Sequence, residues 1–207
     1  MEVRDRIIAR AVSLFRRYGI RSITMDELAG QCGISKKTLY QHFEDKDSLV
    51  STLVEGMIVH AEKGCTIMNQ QAENAVQEVF LSMDMVEEMF EGVNPNMVYD
   101  LRKYHPAAYS LLEKHKTEFL YDIVKKNLRR GIEEGLYRAE IDVELMSALQ
   151  LYNMEFAFNP PDHIKERYSL STLDMELTLH FLHGIATTRG ERLIEKYKQQ
   201  RIKFQTV

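Results

Sequence analysis

With two cysteines and four prolines in 207 residues, this chain has few of the features that staple or interrupt a fold. Cys32 and Cys65 match no metal-ligand spacing, and a disulfide is not expected in a reducing compartment, so both read as buried or incidental thiols. Scarce proline, together with only 10 glycines, favours long helices. No apolar run approaches the roughly 20 residues that span a bilayer, which argues against a membrane partner. The first residues alternate charged and apolar positions at helical spacing and do not follow a signal-peptide layout, so a cytoplasmic location is expected. Missing too are a nucleophile paired with a base, a glycine loop to cradle phosphate and a cluster of metal ligands. No catalytic residue, cofactor or metal site is therefore expected, and an enzyme is disfavoured. His180 and His183 share a three-residue helical spacing but have no third ligand nearby in sequence, which suits surface or interface histidines better than a metal.

What is present is 44% hydrophobic residues, ample for a core, in a length that suits a small head and one larger helical domain. The formal net charge of −4 conceals an asymmetry: residues 1–50 carry nine Lys and Arg against seven Asp and Glu, leaving −6 on the remainder. Affinity for phosphate depends on a local basic surface, so a mildly acidic whole is compatible with nucleic-acid binding and argues only against indiscriminate coating. Candidates for that surface are Arg4, Arg16, Arg17, Arg21, Lys36, Lys37 and Lys46.

Residues 24–46 predict two short helices joined by a tight turn. Thr24 can accept the amide of Glu27 while the Glu27 carboxylate reaches back to Thr24, a capping box that defines where the first helix begins. Leu28, Ala29 and Cys32 share one face, and Gly33 follows where a chain leaving a helix needs positive φ. Ile34 plugs the corner. Ser35 caps a second helix whose Leu39 and Phe43, four apart, pack inward and leave Lys36, Lys37, Tyr40 and Gln41 on other faces. A recognition helix enters the major groove with its N-terminal end, where free amides and cationic or hydroxylated side chains meet phosphates and base edges. Singly, a lysine pair is commonly a solvated face and a tyrosine at helical spacing commonly core. Asp45 caps a further helix beginning near Lys46, whose ammonium opposes the local dipole unless an anion such as phosphate lies beside it.

These residues carry a resemblance. Ile7, Ile8, Ala11, Leu14, Phe15, Tyr18 and Gly19 are similar to the first helix of the TetR family of bacterial transcriptional regulators, and Ile23 to Ala29 resemble its second helix. Gly33-Ile34-Ser35, Thr38-Leu39-Tyr40 and His42-Phe43 resemble its turn and recognition helix, and Lys46 and Leu49 its linking helix. Lys37 stands where the family often has a small residue, and Cys32 where alanine is common. The resemblance implies phosphate contacts for Thr38, Tyr40, His42 and Lys46. Helix geometry adds Thr24 and Ser35 as phosphate contacts and Lys36, Lys37 and Gln41 as base readers.

The expected fold is all-α: a three-helix helix-turn-helix domain at 1–46 and a helical effector-binding and dimerisation domain at 47–207. The linking helix is expected to run from Lys46 toward Gly64, followed by helices over about 70–90, from Asn94-Pro95, from Pro106 to Gly135, from Asp142 to Phe158, and from Ser171 to Lys198. The 142–158 helix carries too much apolar surface for one exposed side. It and the last helix resemble the pair that forms a four-helix bundle across a two-fold axis in the family, which implies a homodimer on a palindromic duplex operator. Met83, Phe90, Tyr99, Tyr104, Tyr121, Met146 and Met154 are candidates to line a pocket for a small apolar or amphipathic effector, since methionine repacks around varied ligands, although each also suits an ordinary core. The reading is a DNA-binding regulator, a repressor released by an effector. The alternative is a ligand-independent architectural or interaction protein that uses the same head.

Overall fold

The computed structural model of the protein describes residues 2–94 and 96–205, with side chains as far as Arg201. Its elements are α1 (Val3–Tyr18), α2 (Met25–Cys32), α3 (Lys36–His42), α4 (Lys46–Gln71), α5 (Ala75–Phe90), α6 (Met97–Tyr104) and α7 (Pro106–His115). A π-helical turn (Lys116–Leu120) follows, then α8 (Tyr121–Glu133), α9 (Val143–Phe158), α10 (Asp162–Lys165), α11 (Leu170–Ile185) and α12 (Thr188–Gln205). The protein is all-α, with no strand among the described residues beyond one isolated bridge, Tyr137 to Ala186. None of these helices is long and apolar enough to cross a membrane.

Two compact units form. The first joins residues 1–61 to 92–115. Its core takes Ile7, Ala11, Leu14 and Phe15 from α1, Leu28 and Ala29 from α2, Leu39 from α3, Leu49 and Val50 from α4, and Leu101 and Ala108 from α6 and α7. Each of the larger of these side chains (Leu, Ile, Val or Phe), once fully buried, contributes about 1.5–3 kcal/mol, which is what holds the short α2 and α3 in place. The second unit joins residues 62–91 to 116–207, with Val76, Phe80, Met83, Leu128, Tyr137, Leu182, Ile185 and Ile194 at its centre. Packing therefore divides the chain differently from the expected boundary at 46/47. Leu49, Val50 and Val54 of α4 and the whole of α6 pack with the head, because their apolar faces complete its core.

Asp142 accepts the amide of Leu145 at 3.0 Å, as expected, whereas the helix expected from about residue 70 begins at Ala75, where Asn74 accepts the amide of Gln77 at 2.9 Å. Three further expectations need correction. The linking helix continues past Gly64 to Gln71. The helix opened by Pro106 is interrupted by the π-helical turn at Lys116–Leu120. The last helix is two, divided at Ala186-Thr187, where neither glycine nor proline marks a break. The division comes from a distant segment: Arg138 donates its amide to the Ile185 carbonyl, and Thr187 donates its own to the Leu136 carbonyl, both at 2.9 Å. Those bonds replace helical ones, and the Thr187 hydroxyl then accepts the Gly190 amide at 3.2 Å, starting α12. Pro95, expected to open α6, lies outside the described residues.

The same segment seats Tyr137, 1% exposed, against Gly131 of α8, where a Cβ would enter the tyrosine ring. Its hydroxyl donates to Asn127 at 3.1 Å, and Asn127 donates to the Ala75 carbonyl at 2.9 Å, so the buried polar groups are satisfied. Arg130 completes this corner by bonding Glu78, Glu134 and the Ala72 carbonyl.

Candidate nucleic-acid interface

The α2–α3 corner is built as its residues require. Thr24 Oγ1 accepts the Glu27 amide at 3.2 Å, and the Glu27 carboxylate accepts the Thr24 amide at 2.7 Å and hydroxyl at 2.9 Å. Those donors hold the Glu27 carboxyl below its ordinary value. Gly33 adopts φ 64, a left-handed conformation that a side chain would strain. It donates to the Gly30 carbonyl at 3.0 Å, and Ile34 donates to the Ala29 carbonyl at 3.1 Å, closing α2. Ser35 Oγ accepts the Thr38 amide at 3.1 Å and starts α3.

On α3, Leu39 and the Phe43 that follows it are buried, at 0% and 3% exposure. The Arg4 guanidinium lies 5.3 Å from the Phe43 ring centroid. Ser35, Lys36, Lys37, Gln41 and His42 are exposed, Thr38 is half-buried, and Tyr40 is 48% exposed, which removes the core reading of that tyrosine. Lys36 pairs with Asp26 of α2 at 2.5 Å, with both side chains largely in solvent. Such a pair contributes little, so Lys36 can exchange it for an acceptor on a ligand. Lys37 has no carboxylate partner among the described residues. The surface thus offers one lysine without a carboxylate, a second in an exchangeable pair, and hydroxyl and amide groups around one short helix, while the apolar pair beneath fixes its orientation.

Lys46 is placed differently from the expectation. Asp45 caps α4 by accepting the Ser48 amide at 2.7 Å. The half-buried Lys46 turns its ammonium onto the Ile20 carbonyl at 2.6 Å, with the Phe15 ring centroid at 5.7 Å. Burial pulls it below its ordinary pKa, opposed by Asp100, Glu27 and Asp47. The partner that offsets the helix dipole is thus the turn after α1, a contact between positions 26 residues apart that sequence spacing could not reveal.

The effector candidates are divided between the two units. Tyr99 and Tyr104 belong to the first unit. In the second, Met83 is 2% exposed in the core, Phe90 meets Phe158 edge-on at 5.0 Å, and Tyr121 donates its hydroxyl to Glu144 at 2.7 Å. Met146 and Met154 are half-buried on α9. A cavity of about 350 Å³ in this unit has other walls, among them Phe80, Met175, Leu179, His180, His183 and Arg201. His183 bonds Glu191 at 2.7 Å, and no group of three potential metal ligands occurs among the described residues.

Leu145, Leu149, Tyr152 and Phe156 of α9 are 61%, 44%, 75% and 40% exposed. Their spacing of four, three and four residues puts them on one stripe of the helix.

A capped recognition helix behind a glycine corner, on a three-helix core with a basic face, defines the helix-turn-helix class of DNA-binding proteins. The model describing bacterial regulatory proteins of the tetR family matches residues 7–53. The HTH-type transcriptional regulator YvaF of Bacillus subtilis is 31% identical over 159 residues, covering 73% of this chain and 82% of YvaF. The chain belongs to the TetR family and is a DNA-binding transcriptional regulator. The HTH-type transcriptional repressor KstR2 of Rhodococcus jostii is 26% identical over 149 residues, 69% of this chain and 71% of that one. The structure of the transcriptional regulator FadR from Bacillus subtilis in complex with stearoyl-CoA superposes with a TM-score of 0.64 at 16% identity, over 87% of this chain and 98% of FadR. That likeness is one of fold. Homodimers are typical of the family.

Proposed function

We propose that the chain is a homodimeric repressor without catalytic activity that binds a pseudo-palindromic operator and is released from it by a small apolar or amphipathic effector. The observation that carries the reading is α3, with Leu39 and Phe43 buried and Lys36, Lys37, Tyr40, Gln41 and His42 turned outward. Lys37 and Gln41, with Lys36 once it leaves Asp26, read base edges. Thr24, Ser35, Thr38, Tyr40 and His42 hold phosphates, and Lys46 contributes its charge from behind Ile20, reaching a phosphate when that carbonyl bond is exchanged.

The α9 stripe supports the dimer, since four large apolar side chains in line on an exposed helix face suit self-association about a two-fold axis. Two such heads must reach successive major grooves roughly 34 Å apart, so an effector that favours a different spacing weakens binding, provided it binds that state more tightly. Met83, Phe90, Tyr121, Met146 and Met154 of the second unit are the proposed effector wall. KstR2 is named a repressor, which suits repression here, and FadR was solved with stearoyl-CoA, which suits an amphipathic ligand.

The test is selection of bound sequences from a random duplex library at physiological salt, with sizing of the complex. A two-fold symmetric motif bound by a dimer, or by a pair of dimers, is expected. Sequence-blind or absent binding would overturn the repressor reading. Addition of long-chain acyl thioesters to the complex then tests release.

A further inference from the structure

We propose that the DNA footprint of the first unit extends beyond the helix-turn-helix onto α6, where Lys103, supported by Arg21, contacts a backbone phosphate flanking the operator. This rests on the DNA-binding reading above and adds a contact outside residues 24–46.

The observation is a ladder of cations and tyrosine rings. The Arg21 guanidinium lies 5.2 Å from the Tyr104 centroid, and the Lys103 ammonium lies 5.3 Å from the same ring. Lys103 is also 5.3 Å from the Tyr99 centroid and donates to the Tyr99 hydroxyl at 2.9 Å. Two cations therefore share one ring, and neither has a carboxylate partner among the described residues. Arg21, Tyr99 and Lys103 are exposed. Cation–π attraction at exposed sites is modest, so two like charges held together invite an external anion. Donation to the Tyr99 hydroxyl raises the Lys103 pKa, which keeps its charge.

The place of the ladder points to DNA. Asp100, the one acid of α6, is 7% exposed and accepts the Arg21 amide at 3.2 Å, so α6 presents only positive charge, Arg102 and Lys103, to solvent. The Asn94 amide donates to the Arg16 carbonyl at 2.7 Å. These bonds fasten the segment to the end of α1 inside one unit. Arg21 adjoins Ile20, whose carbonyl holds Lys46, and precedes Thr24 by three positions. The nearby acids are occupied: Asp47 by His105 and Glu27 by Thr24. Arg21 is thus tied to Lys103 through the Tyr104 ring and adjoins the residue that holds Lys46, so the three cations are held within the unit that carries the proposed phosphate contacts.

The experiment titrates wild type, Lys103→Ala, Lys103→Arg, Arg21→Ala and, as a charge-loss control on the second unit, Lys126→Ala. Each is titrated against the selected operator and an unrelated duplex over a series of KCl concentrations. Lys103→Ala is expected to weaken both duplexes by the same factor, about five-fold at 0.15 M salt, and to lower the log–log salt slope by about 0.9, the effect of one lost phosphate contact. Arg21→Ala should move in the same direction, while Lys103→Arg and Lys126→Ala should match wild type. Wild-type slope and affinity in Lys103→Ala would overturn the inference and leave the DNA reading standing, whereas failure of the wild type to bind either duplex would overturn both. A change in sequence preference in place of a uniform loss would overturn the phosphate assignment.

Discussion

Replacing Asp174 with asparagine should stabilise the protein at neutral pH and remove one specific component of its pH dependence. Asp174 lies on α11 at 7% exposure, and burial pushes its carboxyl from the ordinary 3.8 up to about 6, with Arg201 of α12 opposing the shift. Arg201 gives little relief because it is engaged by Asp84 at 2.7 Å and Glu87 at 2.5 Å. The folded state therefore keeps the Asp174 proton to about pH 6, while the unfolded chain releases it near 3.8. Between those values the folded state binds more protons, so stability falls as pH rises through this window and levels off above it. A shift of about two units corresponds to about 3 kcal/mol. Asparagine keeps the shape without the charge. The assay is urea unfolding of both proteins from pH 4 to pH 8 at one fixed protein concentration, since dimerisation contributes to apparent stability. The stability difference should open from near zero at the acid end to about 3 kcal/mol in favour of the variant above pH 6. Parallel curves, or a variant less stable at pH 7, would show that the carboxylate is not an unrelieved buried charge.

Gly131→Ala should destabilise the second unit by at least about 1–3 kcal/mol, seen as a lower melting temperature, because the new methyl meets the Tyr137 ring, which is 1% exposed and has no room to retreat. Thr24→Ala should cost about 1 kcal/mol by opening the capping box, measurable by chemical denaturation, and a neutral result would mean the box is replaced by solvent. Glutamate at both Leu149 and Tyr152 should dissociate the dimer in sedimentation experiments and lower operator affinity with it, whereas an intact dimer would move the interface off α9. Lys37→Ala should alter preference among operator variants more than overall affinity, read from a repeated selection, and a uniform loss would recast Lys37 as a phosphate contact.

The head was legible in the chain because its signals are local. A capping box needs residues three apart, a helix corner needs one glycine, and the inward pair Leu39 and Phe43 needs a spacing of four, all within reach of the backbone's own periodicity. The helix starts at Ser35 and Asp142 are of the same kind. Tertiary structure decided whatever depends on segments far apart in sequence. The long terminal helix is cut at Ala186 because the chain near Leu136 takes over its hydrogen bonds, and no residue at the break announces it. Lys46 is turned inward by the turn after α1. The expected pocket residues part company because Tyr99 and Tyr104 pack with the head, where Tyr104 meets Arg21, 83 positions earlier. Periodicity reports which face of a helix is apolar, but only the packed chain reports what that face meets.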